Sequence, residues 1–469
     1  MIYTPEQSER FAAYLDGRFL PASGRPAADR LLRSEVRASE HLLRYAAEEL
    51  GNRRHFVLLD QQRTALGLVM RGVRWARRGR RKRVVIVSGG PGTGKSAIAL
   101  SLLAKLAGQD VTIAHATGSR AFTSTLRRYA RRDPRDPRQR TNPLFNYFRD
   151  FANDPPDSID VLICDEAHRI RTRSDRGGVF GKIPQVDELI NVAKVAVFLL
   201  DGHQALRSNE VGTVEAIHDA ALRHGCEPEL ITLGGQFRCG GSPLFEWWVD
   251  RLLEVGPDGP VRWDGDDTFQ LRVADSPEEM ERFLAQRRSL GESARITAGF
   301  CWDWTRQTKN GRLVDDVRIG DWSKPWNAYA THPPRGIPSS AYWATDPGGF
   351  GQVGCAYTAQ GFEYDWAGVI FGQDLVLRGG RLATYPEASR DLDITGGPGK
   401  PRPANPHRLI RNAYKVLLTR GLRGCLIYSV DPETQEFLKG LVSVAGDRER
   451  PGPAGAHQLG KQTGAERGL

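Results

Sequence analysis

The chain has 469 residues, with 66 Lys and Arg against 56 Asp and Glu, for a formal net charge of +10. That length predicts two or three domains with well-buried cores, and the basic balance fits a phosphate-rich partner such as nucleic acid. No apolar run approaches the roughly 20 residues that cross a bilayer, and no secretion leader is apparent, which argues against a membrane partner. The six cysteines form no Cys-x-x-Cys pair, which argues against a disulfide framework or zinc site and predicts a reducing, cytoplasmic setting.

Residues 1–50 are polar and helix-prone, with a break from Pro21 to Pro26, and predict an N-terminal helical segment. An apolar run, Phe56-Val57-Leu58-Leu59, follows a helical stretch at Ser39–Leu50. The basic residues of Arg71–Arg83 recur near i, i+3 and i+4, which predicts one helix face, either solvated or tracking phosphates. Next come Val84-Val85-Ile86-Val87, then Gly89-Gly90-Pro91-Gly92-Thr93-Gly94-Lys95-Ser96, then the helically patterned Ala97–Leu103. Strand, glycine-rich loop and helix in that order are a P-loop in its proper setting. The glycines let backbone N–H groups curl round phosphate oxygens at a helix N-terminus. Lys95 would reach the β- and γ-phosphates of ATP, and the Ser96 hydroxyl would ligand Mg²⁺.

Further along, Val111–Ala114, Val161–Cys164 and Val195–Leu200 are short, β-branched and separated by helix-length stretches, the signature of a parallel sheet. The third of these four strands, counting Val84–Val87 first, ends in Asp165-Glu166-Ala167-His168, roughly 70 residues after Lys95. Strand ends of such sheets face the nucleotide crevice. Asp165 would therefore hold Mg²⁺, and Glu166 would orient and deprotonate the attacking water. His168 is a candidate link between the nucleotide and nucleic-acid sites. After about residue 235 a second series, Ala294–Phe300, Gly368–Phe371 and Gly424–Ser429, predicts a second α/β domain in tandem. The charged, proline-broken Arg131–Arg140 and the Gly- and Pro-rich Arg378–Arg408 read as loops or insertions, and the last twenty or so residues as disordered. The expected division is 1–50, a first lobe at 51–234, a second at 235–435 with an insertion near 376–408, and a tail at 436–469.

The motif set, in order, resembles that of superfamily-one helicases. Leu58-Leu59-Asp60-Gln61-Gln62-Arg63 is similar to the glutamine motif, with Gln62 in the adenine-contacting position. Thr117-Gly118-Ser119-Arg120-Ala121 is similar to motif Ia, on the nucleic-acid backbone. Phe198–Gln204 is similar to motif III, with Gln204 as γ-phosphate sensor, although Asp201 here precedes Gly202. Gln236–Ser242, Tyr357–Glu363 and Tyr414–Gly421 resemble motifs IV, V and VI. Gln236-Phe237-Arg238-Cys239-Gly240, Val416-Leu417-Leu418-Thr419-Arg420-Gly421 and Phe300-Cys301-Trp302-Asp303-Trp304 are more specific, and resemble the Schlafen group 3 DNA/RNA helicase domain.

The resemblance implies two tandem RecA-like P-loop domains with parallel sheets flanked by helices, and ATP in the cleft between them. It implies Arg238 and Arg420 as arginine fingers from the second lobe, a fit role for a planar, permanently charged guanidinium. Glu363 would bind the ribose hydroxyl, and Thr358 would make a contact across the cleft. The implied activity is a nucleic-acid-dependent ATPase, a helicase or translocase on single-stranded DNA or RNA. The alternatives are an ATP-dependent nucleic-acid-binding switch, or a motor subunit whose separate nuclease or defence-complex partner is another chain. Arg120, Arg127 and Arg128, with Phe122 interleaved, are the candidate track for the strand. Trp302 and Trp304 read either as base-stacking or as core residues, and Trp247 and Trp248 as packing residues.

Overall fold

The computed structural model describes residues 60–76, 82–90, 92–106, 109, 111–129, 144–202, 204–233, 242–256, 258–329, 333–397 and 401–442. The expectations for residues 1–59, for Pro91, for Arg131–Arg140, for Arg238 and the rest of Gln236–Gly241, and for the C-terminal 443–469 lie outside the described residues.

The first lobe opens with α1 (Asp60–Ala76), β1 (Arg83–Gly89), α2 (Lys95–Leu106), β2 (Ile113–Thr117) and α3 (Arg120–Tyr129). Then follow β3 (Phe145–Tyr147), β4 (Ile159–Asp165), a short hairpin of β5 (Asp175–Arg176) and β6 (Val179–Phe180), α4 (Gln185–Val192), β7 (Ala193–Leu200), α5 (Val214–Arg223) and β8 (Glu229–Leu233). Six of these strands form one sheet in the order β3-β2-β4-β7-β1-β8, every pair parallel. Helices cover both faces, so the inner strands are buried on both sides and read as unbroken apolar runs rather than alternating ones. Val85, Val87, Ile163 and Val197 face α1, α2 and α3, while Ile86, Leu162, Cys164 and Phe198 face α4 and α5.

The second lobe runs α6 (Pro243–Leu252), β9 (Gln270–Val273), α7 (Pro277–Ser289), β10 (Ala294–Ala298), β11 (Val317–Ile319), β12 (Trp322–Lys324) and β13 (Val353–Gly354). It continues with α8 (Ala356–Ala359), β14 (Tyr364–Phe371), β15 (Leu375–Arg378), β16 (Arg381–Thr384), α9 (Leu392–Thr395), α10 (Pro406–Leu418), β17 (Gly421–Ser429) and α11 (Pro432–Leu441). Its sheet, β13-β10-β14-β17-β9, is also wholly parallel. Two parallel sheets flanked by helices are the tandem RecA-like architecture that the motif order implies. The expected buried strands fall on β1, β4, β7, β10, β14 and β17, and β2 lies two residues beyond its expected start.

Two expectations need correction. The basic face does not run as one helix to Arg83: residues 77–81 lie outside the described residues, and Arg83 begins β1 with its guanidinium 4.4 Å over the Trp75 ring. Arg378–Arg408 is not simply a loop either. Arg378 closes β15, which pairs antiparallel with β16 across Gly379 and Gly380, both at positive φ (59° and 77°). Leu382 of that hairpin is buried in the second lobe's core, and α9 and the start of α10 also fall within the stretch.

Candidate nucleotide site at the junction of the lobes

β1 ends at Gly89 and α2 begins at Lys95, so the glycine-rich string is the turn between them. Gly92 and Gly94 have φ of 74° and 82°, which L side chains rarely adopt. Gly94 is required twice over, because a Cβ there would lie 2.2 Å from Gln62 Nε2. Gln62 is buried on α1 and donates from Nε2 to the Thr93 carbonyl at 3.0 Å, so the glutamine-motif residue holds the loop backbone. Thr93 Oγ1 donates to Gly90 O at 3.0 Å. Lys95, buried in the first turn of α2, donates from Nζ to the carbonyls of Gly89 and Gly90, both at 2.7 Å. Ser96 follows it, half-buried.

β4 delivers Asp165 to the same edge of the sheet. Its Oδ1 accepts the Glu166 N–H at 2.9 Å, and Oδ2 is buried with no hydrogen bond. A buried carboxylate at a strand end beside a phosphate-type loop, with a serine hydroxyl on α2, is an oxygen donor set that suits a hard divalent cation. Glu166 has φ 55°, a left-handed backbone that costs a non-glycine residue about 1–2 kcal/mol and that recurs at functional sites. It turns the chain sharply into the short helix Ala167–Arg169, against which Gly212 packs so closely that a Cβ would meet the Ala167 carbonyl.

His168 is the centre of the junction. Its Nδ1 accepts the Asp201 N–H at 3.3 Å, which leaves Nε2 as the ring's donor. Nε2 lies 3.1 Å from Glu166 Oε2 and 3.0 Å from Nε2 of Gln360, a residue of the second lobe. One ring nitrogen thus has two competing partners, one from each lobe. Burial would raise the Glu166 pKa, but His168 first, then Lys95 and Arg169, outweigh it and hold the carboxyl at about 2 instead of the ordinary 4.5. Gln360 is fully buried and also donates from Nε2 to the Gln204 carbonyl at 2.9 Å. Gln204 in turn donates to Asp201 Oδ2 at 2.9 Å. His168, Gln204 and Gln360 therefore meet in one polar cluster that spans both lobes, and Glu166 Oε2 lies against the His168 ring without a hydrogen bond.

Arg420, buried at the end of α10, donates to Val416 O (2.8 Å), Thr419 Oγ1 (3.0 Å) and Phe362 O (3.4 Å), all in the second lobe. Glu363 is half-buried just beyond Phe362. Thr358 does not cross the cleft: its hydroxyl bonds Asn327 Oδ1 at 3.1 Å and Cys355 O at 3.0 Å within the second lobe. Phe122 is no base-stacking surface, being buried edge-on against Phe362 at a centroid distance of 6.2 Å. Of its neighbours, Arg120 is exposed, Arg127 donates to Phe145 O at 2.8 Å, and Arg128 lies 4.8 Å over the Tyr342 ring. Trp302 and Trp304 are half-buried around Trp326, with Trp302 Nε1 donating to Arg318 O at 3.1 Å, so packing accounts for much of both. Trp248 is a packing residue, whereas Trp247 is 52% exposed and carries Arg251 over its ring at 5.3 Å.

The motifs gave no warning of three further junction contacts. Asn412 on α10 donates to Ala205 O at 2.7 Å, Arg207 lies 4.7 Å over the Tyr357 ring, and Thr125 Oγ1 donates to Ala341 O at 3.2 Å. The only sequence signals were the aromatic residues of Tyr357–Glu363 and an arginine three residues after Gln204. No helix among the described residues is long and apolar enough to cross a membrane.

The family described as Schlafen group 3, DNA/RNA helicase domain, matches this chain over residues 82–431, a span that holds both sheets and the whole junction. The uncharacterized protein YPL245W of Saccharomyces cerevisiae is 25% identical over 400 residues, covering 75% of this chain and 83% of the relative.

Proposed function

Because the chain belongs to the Schlafen group 3, DNA/RNA helicase domain family, we propose that it is an ATPase whose hydrolysis depends on single-stranded DNA or RNA and drives movement along that strand. The observation that carries this reading is the polar cluster of Glu166, His168, Gln360 and Gln204, which sets the hydrolytic carboxylate of one lobe beside a side chain of the other. An ATP-binding module without a motor stroke has no use for such a link.

In this reading the turn Gly89–Gly94 and the N-terminus of α2 bind the triphosphate through backbone N–H groups, and Lys95 exchanges its two carbonyl partners for phosphate oxygens. Ser96 and Asp165 would hold Mg²⁺, which supplies charge neutralisation at the phosphates. Glu166 orients the attacking water and takes its proton. With its pKa held at about 2, Glu166 is ionised but a weak base, and it gains basicity when His168 turns from it to Gln360. Lobe movement, which displaces Gln360, is thereby linked to proton transfer. Arg238 and Arg420 would complete the charge balance from the second lobe, with Gln62 and Glu363 on the base and ribose.

The test is ATP hydrolysis with no nucleic acid, with single-stranded DNA and with single-stranded RNA, using Lys95→Ala as the blank. Strand-dependent stimulation supports the motor reading and names its track. Equal turnover in all three refutes strand dependence and favours a switch or a subunit awaiting a partner.

A further inference from the structure

β2 carries a polar residue where its neighbours are apolar. His115 is 1% exposed on the sheet face shared with Val161, Ile163 and Val197, its ring edge-on to Phe145 at 5.6 Å and tilted 6.4 Å from Phe122. In the parallel register His115 stands opposite Ile163 and Thr117 opposite Asp165, so His115 and Asp165 lie diagonally on one face. His115 Nε2 is 3.5 Å from Asp165 Oδ2. Neither ring nitrogen has a hydrogen bond, and neither does Asp165 Oδ2. Buried polar groups are almost always satisfied, and these face each other. The separation is at the outer limit for a hydrogen bond.

We propose that His115 is a positioning residue for Asp165: the imidazole presents Nε2–H to Oδ2 and fixes the carboxylate plane while Oδ1 stays on the Glu166 N–H. The proposal rests on the reading of Asp165 as the cation-holding carboxylate, and assigns it an outer partner of the kind that orients metal-binding side chains. It is separate from the Glu166–His168 pair, which acts on the water.

The experiment uses the full chain with His115→Phe, which keeps the ring packing and loses the donor, and His115→Gln, which keeps a donor. Calorimetric binding of Mg²⁺ with a non-hydrolysable ATP analogue should weaken roughly 10–100-fold in His115→Phe and recover largely in His115→Gln. Undiminished binding in a folded His115→Phe overturns the proposal. The second readout needs neither nucleotide nor turnover: histidine ¹⁵N NMR should show His115 with its proton on Nε2, and that signal should move in Asp165→Asn. A signal indifferent to Asp165→Asn overturns the pairing even if His115→Phe does not fold. Should wild-type protein bind no Mg²⁺–nucleotide, the reading of the site fails, and the NMR result alone decides whether the pair exists.

Discussion

Gln360→Ala isolates the link between the lobes. The Gln360 amide donates to Gln204 O at 2.9 Å and meets His168 Nε2 at 3.0 Å, and both partners are across the junction. The bond to the Gln204 carbonyl is worth about 1 kcal/mol net, and truncation also leaves that carbonyl and the His168 ring in a dry junction, so the total cost is about 2–4 kcal/mol. That cost falls on the closed arrangement rather than on either sheet, because Gln360 bridges the lobes and belongs to neither core. At about 1.4 kcal/mol per factor of ten, the closed population should fall at least tenfold relative to open ones. The assay is ATP hydrolysis with and without a saturating single-stranded oligonucleotide, paired with a thermal unfolding scan. Stimulation should drop at least tenfold while basal turnover changes much less and the unfolding midpoint moves little. A Gln360→Ala protein that is stimulated as strongly as wild type would refute the coupling argument.

Three further outcomes are expected. Glu166→Gln should lose about 10²–10⁴ of turnover while still binding a non-hydrolysable ATP analogue, checked by steady-state kinetics and calorimetry. Glu166 also gives a pH dependence of stability: its folded pKa of about 2 lies below its ordinary 4.5, so its contribution is full above pH 4.5 and disappears as the pH falls through 2. Denaturant titrations across that window should show a loss on the order of 3 kcal/mol in wild type that Glu166→Gln lacks. Lys95→Ala should abolish hydrolysis without unfolding the protein, since its bonds in the structure are to two loop carbonyls, and circular dichroism with a hydrolysis assay checks both halves. Phe122→Ala should cost about 3–5 kcal/mol in denaturant unfolding, the price of emptying a buried aromatic site; a surface role for Phe122 would leave stability nearly unchanged.

The P-loop, the Asp165-Glu166 strand end and the central strands were legible because each is fixed locally. Backbone at positive φ demands glycine, and a strand buried on both faces demands an unbroken apolar run. Contacts between lobes were not legible in the same way: His168 and Gln360 are 192 residues apart, and only folding brings them together. Phe122 was misread for the same reason, since what covers it is Phe362 of the other lobe. The β15–β16 hairpin was hidden by composition, although Gly379-Gly380 between Leu375-Val376-Leu377 and Leu382 is a hairpin turn in form. Trp247 and Trp248 read alike in the sequence, yet consecutive residues of a helix point about 100° apart, so a single core face takes only one.

Why the junction should centre on a histidine follows from the proton count. Nδ1 is committed to the Asp201 N–H, so Nε2–H can satisfy Glu166 or a Gln360 turned to present its carbonyl oxygen, but not both. As the Gln360 amide stands, Nε2 donates to Gln204 and Oε1 is buried without a hydrogen bond. Every arrangement of this cluster leaves one group unsatisfied, and a network with two nearly equal imperfect solutions can be tipped by a small displacement. An ion pair or an apolar contact in the same place would lock the lobes in one state. A lysine at 168 would neutralise Glu166 permanently, and a leucine would leave the carboxylate and Gln360 uncoupled. Asparagine at 168 therefore makes the sharper experiment than alanine: it keeps a donor for Glu166 but is too short to reach Gln360 as well. His168→Asn should retain basal hydrolysis and lose strand stimulation. Full stimulation in that variant would mean that the lobes communicate by another route, with Arg207 on Tyr357, Asn412 on Ala205 and Thr125 on Ala341 among the contacts to examine.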